Sequence, residues 1–353
     1  LLVLATVLVL LAGDRPVSKL YTISSFCHLI GILLVCYSLL RLAAFPIKLP
    51  YSNAVISMPV AMVLIFAPLA AFIVHVSAVQ NSKRSMIYVF CSFLSALAIV
   101  PFWIMIVNAT RSSQAIQQGV SLIPGTYLRY NWNVLSSKNF NVTIGFKNSA
   151  IIAVCSTILS VYFSAMTAYG FKVYQFRGNK FLYAVVMAII MIPGQVTGTG
   201  FYMFMYQLGW TNNYLPLILP GIAAPIVFFY MKQYMESALP LAIVEAARID
   251  GSGEFRTFNT IVIPMMKPAI AVQAIFTFVS SWNNYFTPAL ILSTDTKKTL
   301  PILIAQLRSA DWLKFDMGQV YMMIAFSIFP VIVVYLILSR YIVQGVALGG
   351  VKG

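Results

Sequence analysis

Acidic residues are scarce: Asp and Glu together number 8 in 353 residues, against 23 Lys and Arg. All four charged types make up only 9% of the chain, whereas a soluble domain carries about 25%, so most of this surface must meet something other than water. Histidine is nearly missing, with two copies, His28 and His75, both early in the chain. The four cysteines, Cys27, Cys36, Cys91 and Cys155, lack metal-ligand spacing and lie within apolar runs, which predicts buried free thiols. No Walker A sequence occurs, which excludes ATP binding by the chain itself. From residue 86 to 341 no apolar run has Asp, Glu or His in its interior. Proton- and sodium-coupled carriers place ionisable or unwound polar sites near the midplane, so energy is expected to enter from elsewhere. The net charge of +15 does not signal nucleic acid, because the bases sit in short loops between apolar runs and no basic patch is interleaved with aromatics.

What is abundant is apolar sequence, at 60% of the chain. Runs of about 20 apolar residues mark membrane-spanning helices, and the pattern predicts spans over residues 21–44, 54–79, 86–109, 148–171, 181–207, 214–231, 269–292 and 319–341. The fold class expected is all-α, a polytopic transmembrane helix bundle. The run 181–207 is interrupted at Pro193-Gly194. A long polar stretch, 110–147, carries Tyr127, Tyr130 and Trp132 as interfacial aromatics, and with 293–317 it is assigned to the outer side. The loops holding Lys83-Arg84 and Lys172, Arg177 and Lys180, together with the C-terminus, are assigned to the cytoplasmic side by the bias of their bases. The tail from Gly345 onward is short and glycine-rich.

The exception to this apolar pattern is residues 236–268, which hold Glu245, Asp250 and Glu254 beside Arg248, Arg256 and Lys267. Pro240 is placed to open a helix, Gly251 to end it in the left-handed conformation, Ser252 to cap a second helix, Pro264 to stop that one and Pro268 to begin the next span. Two short helices joined by a bend at Gly251 are therefore expected outside the lipid. The small pair Ala246-Ala247 offers a low-relief surface flanked by the charges of Glu245 and Asp250.

This stretch resembles the EAA loop of ABC importer permeases. That pattern is Glu-Ala-Ala, three residues, Gly, nine residues, Ile, one residue, Leu-Pro; here it reads Glu245-Ala246-Ala247, Gly251, Ile261, then Ile263-Pro264, with Ile263 in place of Leu. Trp282-Asn283-Asn284-Tyr285-Phe286 with Pro288, Thr299-Leu300-Pro301 and the ending Gly349-Gly350-Val351-Lys352-Gly353 resemble the carbohydrate branch, specifically the shorter, maltose-type permease. The resemblance implies a type I importer permease fold over residues 85–353, with an ATPase-coupling surface made of Glu245, Ala246, Ala247, Asp250, Gly251, Ile261 and Pro264. It also implies a tail, residues 344–353, that reaches the ATPase dimer. Residues 1–84 fall outside it and add membrane-spanning segments without an assigned role.

By the same resemblance the partners are a second permease subunit, an ATP-binding subunit dimer that holds ATP and magnesium, and an extracytoplasmic solute-binding protein. The cargo is a sugar or oligosaccharide, and the setting is the lipid of a bacterial or archaeal cytoplasmic membrane. The chain itself is expected to hold no cofactor and catalyse no reaction. Trp282, Asn283, Asn284 and Tyr285, with Gln195, Thr197, Thr199 and Tyr202 after the Pro193 break, are candidates for the sugar path: amides for hydroxyls, an indole face for the ring. Two adjacent amides in lipid equally suit interhelix packing. An importer permease for a non-sugar solute, or an ion-coupled carrier or channel acting alone, stand as the alternatives.

Overall fold

The computed structural model describes residues 82–136, 142–308 and 316–349. The extra spans expected over 21–44 and 54–79 lie outside the described residues, as do residues 350–353 of the tail. Among the described residues every regular element is helical. They fall into two units, residues 82–134 with 316–325, and residues 135–308 with 326–349.

In the first unit, helix Ser82–Ala109 runs into a loop held by one guanidinium. Arg111 donates to Asn108 Oδ1 at 3.1 Å and to the carbonyls of Gly119 and Ala115 at 2.9 and 2.5 Å. Asn131, on helix Leu128–Ser136, donates its amide to the carbonyls of Ala109 and Arg111. Asn131 is fully buried, so it is a structural strut of the polar loop rather than an accessible point on it. Tyr127, Tyr130 and Trp132 around it are exposed, as interfacial aromatics must be.

The second unit is built on Val142–Val173, a helix of 32 residues. Its buried face carries small residues, Ser149, Ala153, Ser156, Ser160, Ser164, Ala165 and Ala168. Small side chains let helix backbones approach closely where no water drives association. Pro225–Ala238 and Lys267–Trp282 both pack on this helix, and Ser156 and Ser281 hydroxyls meet at 3.0 Å. Among the described residues three helices are long and apolar enough to cross a membrane: Val142–Val173, Leu215–Ala238 and Met317–Tyr341. Pro330 lies inside the last without ending it. The helix continues through Gly345 to Gly349, so this part of the expected tail is helical.

The expected interruption of 181–207 is a sharp bend. Asn179–Ile190 and Gly194–Gln207 meet at 96°. Pro193 caps the second helix at φ −62°, ψ 127°, and its ring denies the preceding Ile192 the helical region. The unbroken span expected over 269–292 is corrected by the structure: the helix ends at Trp282, and a separate short helix, Phe286–Ile291, follows. Pro288 is the cause. In a continuous helix its ring would strike the carbonyl of Asn284 and its missing N–H would leave that carbonyl unpaired; in the first turn of a new helix neither penalty applies.

The two broken segments touch. Gly198 lies against Phe286 so closely that a Cβ there would come within 2.5 Å of the ring. The uncharged turn at 209–213 is tied to the loop after the second break through Asn212, a left-handed residue at φ +56°. Its backbone N–H donates to Ile291 O at 2.7 Å, its Oδ1 accepts from the N–H groups of Ser293 and Thr294, and its Nδ2 donates to Thr294 Oγ1 at 2.6 Å. Lys297 Nζ closes the knot on Asn212 O at 2.6 Å.

Candidate functional site: the docking helix and the broken spans

Helix Leu241–Ile249 begins after Pro240, which sits at the cap with φ −67° and ψ 129°. It ends at Asp250, and Gly251 takes φ +77°, a value that costs an L side chain and suits glycine. Ser252 N–H donates to Ala247 O at 2.9 Å and Gly251 N–H to Arg248 O at 3.0 Å. This pair of bonds is the Schellman closure, and it satisfies carbonyls that the helix end would otherwise leave open.

The helix has two faces. Val244 and Ala247, three residues apart, are buried, Val244 against a core that includes Met231, Met235, Phe258 and Val262. The opposite face exposes Glu245, Ala246, Ile249 and Asp250. The assignment of Ala247 to a flat docking surface is thereby corrected: its methyl turns inward, one helical turn from Val244. Ile249 takes its place outside at 87% exposure, and Phe255 beyond the bend is 69% exposed. Neither was singled out from sequence, although Ile249 stands four residues after Glu245 and so on the same face.

The second helix differs from expectation at both ends. Its cap is Gly253, not Ser252; the Ser252 hydroxyl instead accepts from Thr257 Oγ1 at 2.9 Å across the bend. Pro264 does not stop it. After Glu254–Thr257 the chain forms a π turn over Phe258–Val262, closed by Ile263 N–H to Phe258 O, and resumes as Ile263–Met265. The wider turn opens the carbonyl ladder just ahead of the proline ring, which lets the helix pass Pro264. It ends one residue later at Met265, and after Met266 the helix Lys267–Trp282 leaves at 81° with Pro268 in its first turn. Ile261 is half-buried and Pro264 exposed, both beside the buried Phe258 and Val262.

Charge crosses the bend. Arg248 Nε donates to Glu254 Oε1 at 2.6 Å, and Tyr169 Oη donates to Glu254 Oε2 at 2.7 Å. The Arg248 guanidinium lies 5.6 Å from the centre of the Tyr174 ring. These bonds, Arg248 first and Tyr169 next, hold the Glu254 carboxyl below the usual range, and the same pairing raises Arg248.

At the broken spans the sequence-predicted path residues separate. Trp282 is 1% exposed, its indole N–H donates to Ser327 O at 2.9 Å, and Phe278 and Phe146 occupy its ring faces and edge. That arrangement is packing within the chain. Asn283 and Tyr285 are exposed, whereas Asn284 is half-buried and accepts from Thr287 N–H, in the first turn of the next helix, at 3.3 Å. Gln195, Thr197 and Thr199 are exposed on Gly194–Gln207, Tyr202 is half-buried, and Thr197 Oγ1 returns to Gly194 O at 2.9 Å. The contact of Gly198 with Phe286 brings the start of Gly194–Gln207 beside the Asn283–Tyr285 break.

Residues 160–348 match the family described as binding-protein-dependent transport system inner membrane component. The arabinooligosaccharides transport system permease protein AraQ of Halalkalibacterium halodurans is 33% identical over 268 residues, covering 74% of this chain and 94% of that protein. The lactose transport system permease protein LacG of Rhizobium radiobacter is 30% identical over 266 residues, covering 75% of this chain and 95% of that protein. The fold matches a chain of the crystal structure of a bacterial ABC transporter involved in the import of the acidic polysaccharide alginate, with a TM-score of 0.62, 22% identity and coverage of 74% of this chain and 98% of that one. The match over more than half its length and the identity to these permeases establish that the chain belongs to the binding-protein-dependent transport system inner membrane component family, a family of transporter subunits rather than of enzymes.

Proposed function

We propose that this chain is one permease half of an ATP-driven importer of a sugar or oligosaccharide, set in the cytoplasmic membrane of a bacterium or archaeon. Residues 85–353 form the permease. Its partners are a second permease, a pair of ATP-binding subunits and an extracytoplasmic binding protein. The observation that carries the reading is the Leu241–Ile249 helix. A nine-residue helix is rigidly closed by Gly251, anchored by Val244 and Ala247, and presents Glu245, Ala246, Ile249 and Asp250 outward. Exposed isoleucine and phenylalanine on both sides of a polar bend suit an apolar pocket in a protein partner better than water. Closure of the ATP-binding subunits pushes this helix, and the spans rock between inward- and outward-open states.

The sugar assignment is supported by the names of the relatives and by the polar groups at the paired breaks. Asn283, Tyr285, Gln195 and Thr197 form the proposed path, with Trp282 and Asn284 as its supports. Irregular backbone at membrane depth is tolerated where it is packed in protein or lines a cavity.

The test is co-purification of the ATP-binding subunits with Glu245→Lys and with Ile249→Asp. Both changes lie on the exposed face, so insertion and pairing with the second permease should persist while the ATPase is lost. Recovery at the wild-type level with both variants would remove the docking assignment.

A further inference from the structure

The bend between the docking helix and the helix that follows is flanked by Gly251 and Gly253, so backbone stiffness alone does not set its angle. Side chains do. The Ser252–Thr257 hydroxyl bond crosses it on one side. On the other, the two oxygens of one carboxylate serve two different elements. Glu254 Oε1 takes Arg248 of the docking helix at 2.6 Å, and Oε2 takes Tyr169 of Val142–Val173 at 2.7 Å. Tyr169 is buried and packs on Phe258, so its hydroxyl is a fixed point. Val142–Val173 is also the helix on which Pro225–Ala238 and Lys267–Trp282 pack.

We infer that Glu254 is a positioning residue for transport: through Arg248 and Tyr169 it fixes the docking helix to Val142–Val173, so that displacement of the docking helix is delivered to the span at the centre of the bundle. The inference rests on the reading that Leu241–Ile249 docks an ATP-binding subunit. A role in stability is a weak explanation for the cluster. Arg248 and Glu254 side chains are 39% and 41% exposed, and ion pairs so placed contribute little to folding. The cluster is outside the exposed face of Glu245, Ala246 and Ile249, so its loss leaves that face in place. What its loss removes is the polar part of the link between docking helix and span, while the apolar packing of Val244 on the core it shares with Val161, Ala165 and Ala168 stays.

The test uses the whole complex of both permeases, the ATP-binding subunits and the binding protein. In this chain Cys27, Cys36, Cys91 and Cys155 are replaced by Ala, and a reporter cysteine is placed at the exposed Asn283. The probe is the rate of maleimide labelling at position 283 with and without ATP and vanadate. In the parent the nucleotide changes this rate. In Glu254→Ala and Tyr169→Phe the ATP-binding subunits should still co-purify and hydrolyse ATP, while the nucleotide-induced change shrinks by about threefold or more, the scale expected when a residue linking two sites is removed. The exchange Arg248→Glu with Glu254→Arg re-forms the ion pair, and the Tyr169 hydroxyl, which donates to the carboxylate in the parent, can accept from the exchanged guanidinium, so the exchange should recover most of the response.

An unchanged response in Glu254→Ala overturns the inference. So does a diminished response that merely follows lost thermal stability and is not recovered by the exchange. A parallel Glu245→Lys arm reports docking alone. If it keeps the ATP-binding subunits, the docking reading fails, and this inference fails with it. If it loses them while Glu254→Ala retains both the subunits and the full response, only the link is refuted.

Discussion

Gly251 offers a graded test, because its surroundings isolate one cause. At φ +77° an L side chain is strained, yet a Cβ there would meet nothing within 4 Å. Any penalty for alanine in this chain is therefore conformational rather than steric. The left-handed region costs an L residue about 1–2 kcal/mol, and restricting the unfolded chain returns about 0.4–1 kcal/mol, so Gly251→Ala should destabilise the bend by roughly 1 kcal/mol. That is about fivefold in the population of the bent form. Asparagine tolerates this region and should cost less than alanine despite its larger size. Proline cannot adopt the angle and also removes the N–H that donates to Arg248 O at 3.0 Å, so Gly251→Pro should cost about 3 kcal/mol or more. The assay is recovery of the ATP-binding subunits, with binding-protein-stimulated ATP hydrolysis, across Asn, Ala and Pro. Losses should rise in that order. Asparagine as damaging as proline would show that bulk against the partner, rather than backbone conformation, sets the effect, and wild-type behaviour of all three would show that the bend carries no load.

Further outcomes follow from the same geometry. A cysteine at position 251 should label only from the cytoplasmic side of intact cells and one at position 130 only from outside; Tyr130, 55% exposed, serves for this where the buried Asn131 does not. Asn284→Ala should lower thermal stability by about 1 kcal/mol through loss of its bond to the Thr287 N–H, whereas Asn283→Ala, at an exposed position, should alter uptake with little change in melting temperature. Asn212→Gly keeps the left-handed backbone but loses the side-chain bonds to Ser293 and Thr294, a cost of roughly 1–3 kcal/mol. Asn212→Ala should cost about 1 kcal/mol beyond that for the strained φ, and thermal unfolding of the two variants side by side measures the difference.

Features that act through their own backbone were legible in the sequence. Gly251 dictates a left-handed turn, Pro193 a bend and Pro268 a helix start, each by a local constraint that needs no neighbour. The bundle of apolar helices was legible for the same reason, since lipid selects on run length and charge alone. The break after Trp282 was missed because Pro288 acts four residues upstream of itself, on a stretch whose composition still reads as a span. The π turn was missed because it accommodates Pro264 rather than yielding to it. Ala247 was misplaced because a motif of adjacent residues says nothing about which way each one faces, whereas helical periodicity does. The bonds of Arg248 and Tyr169 to Glu254 have no sequence signal: one crosses a bend and the other joins residues 85 apart. The same holds for Asn212, whose partners lie some 80 residues on.

The division of the docking helix into an anchored and an exposed face separates what the fold requires from what a partner reads. Val244 and Ala247 are fixed by the interior. Glu245, Ala246, Ile249 and Asp250 are not, and can change without disturbing the permease beneath them. If it docks the ATP-binding subunits as proposed, such a helix is an address label. On that proposal, transplanting those four outward residues, with Phe255, from a permease served by a different ATP-binding subunit should redirect this chain to that subunit and leave its cargo unchanged. A cell holding many importers of this kind could then share a few ATPases among them, or keep each one private, by rewriting a surface of only five side chains.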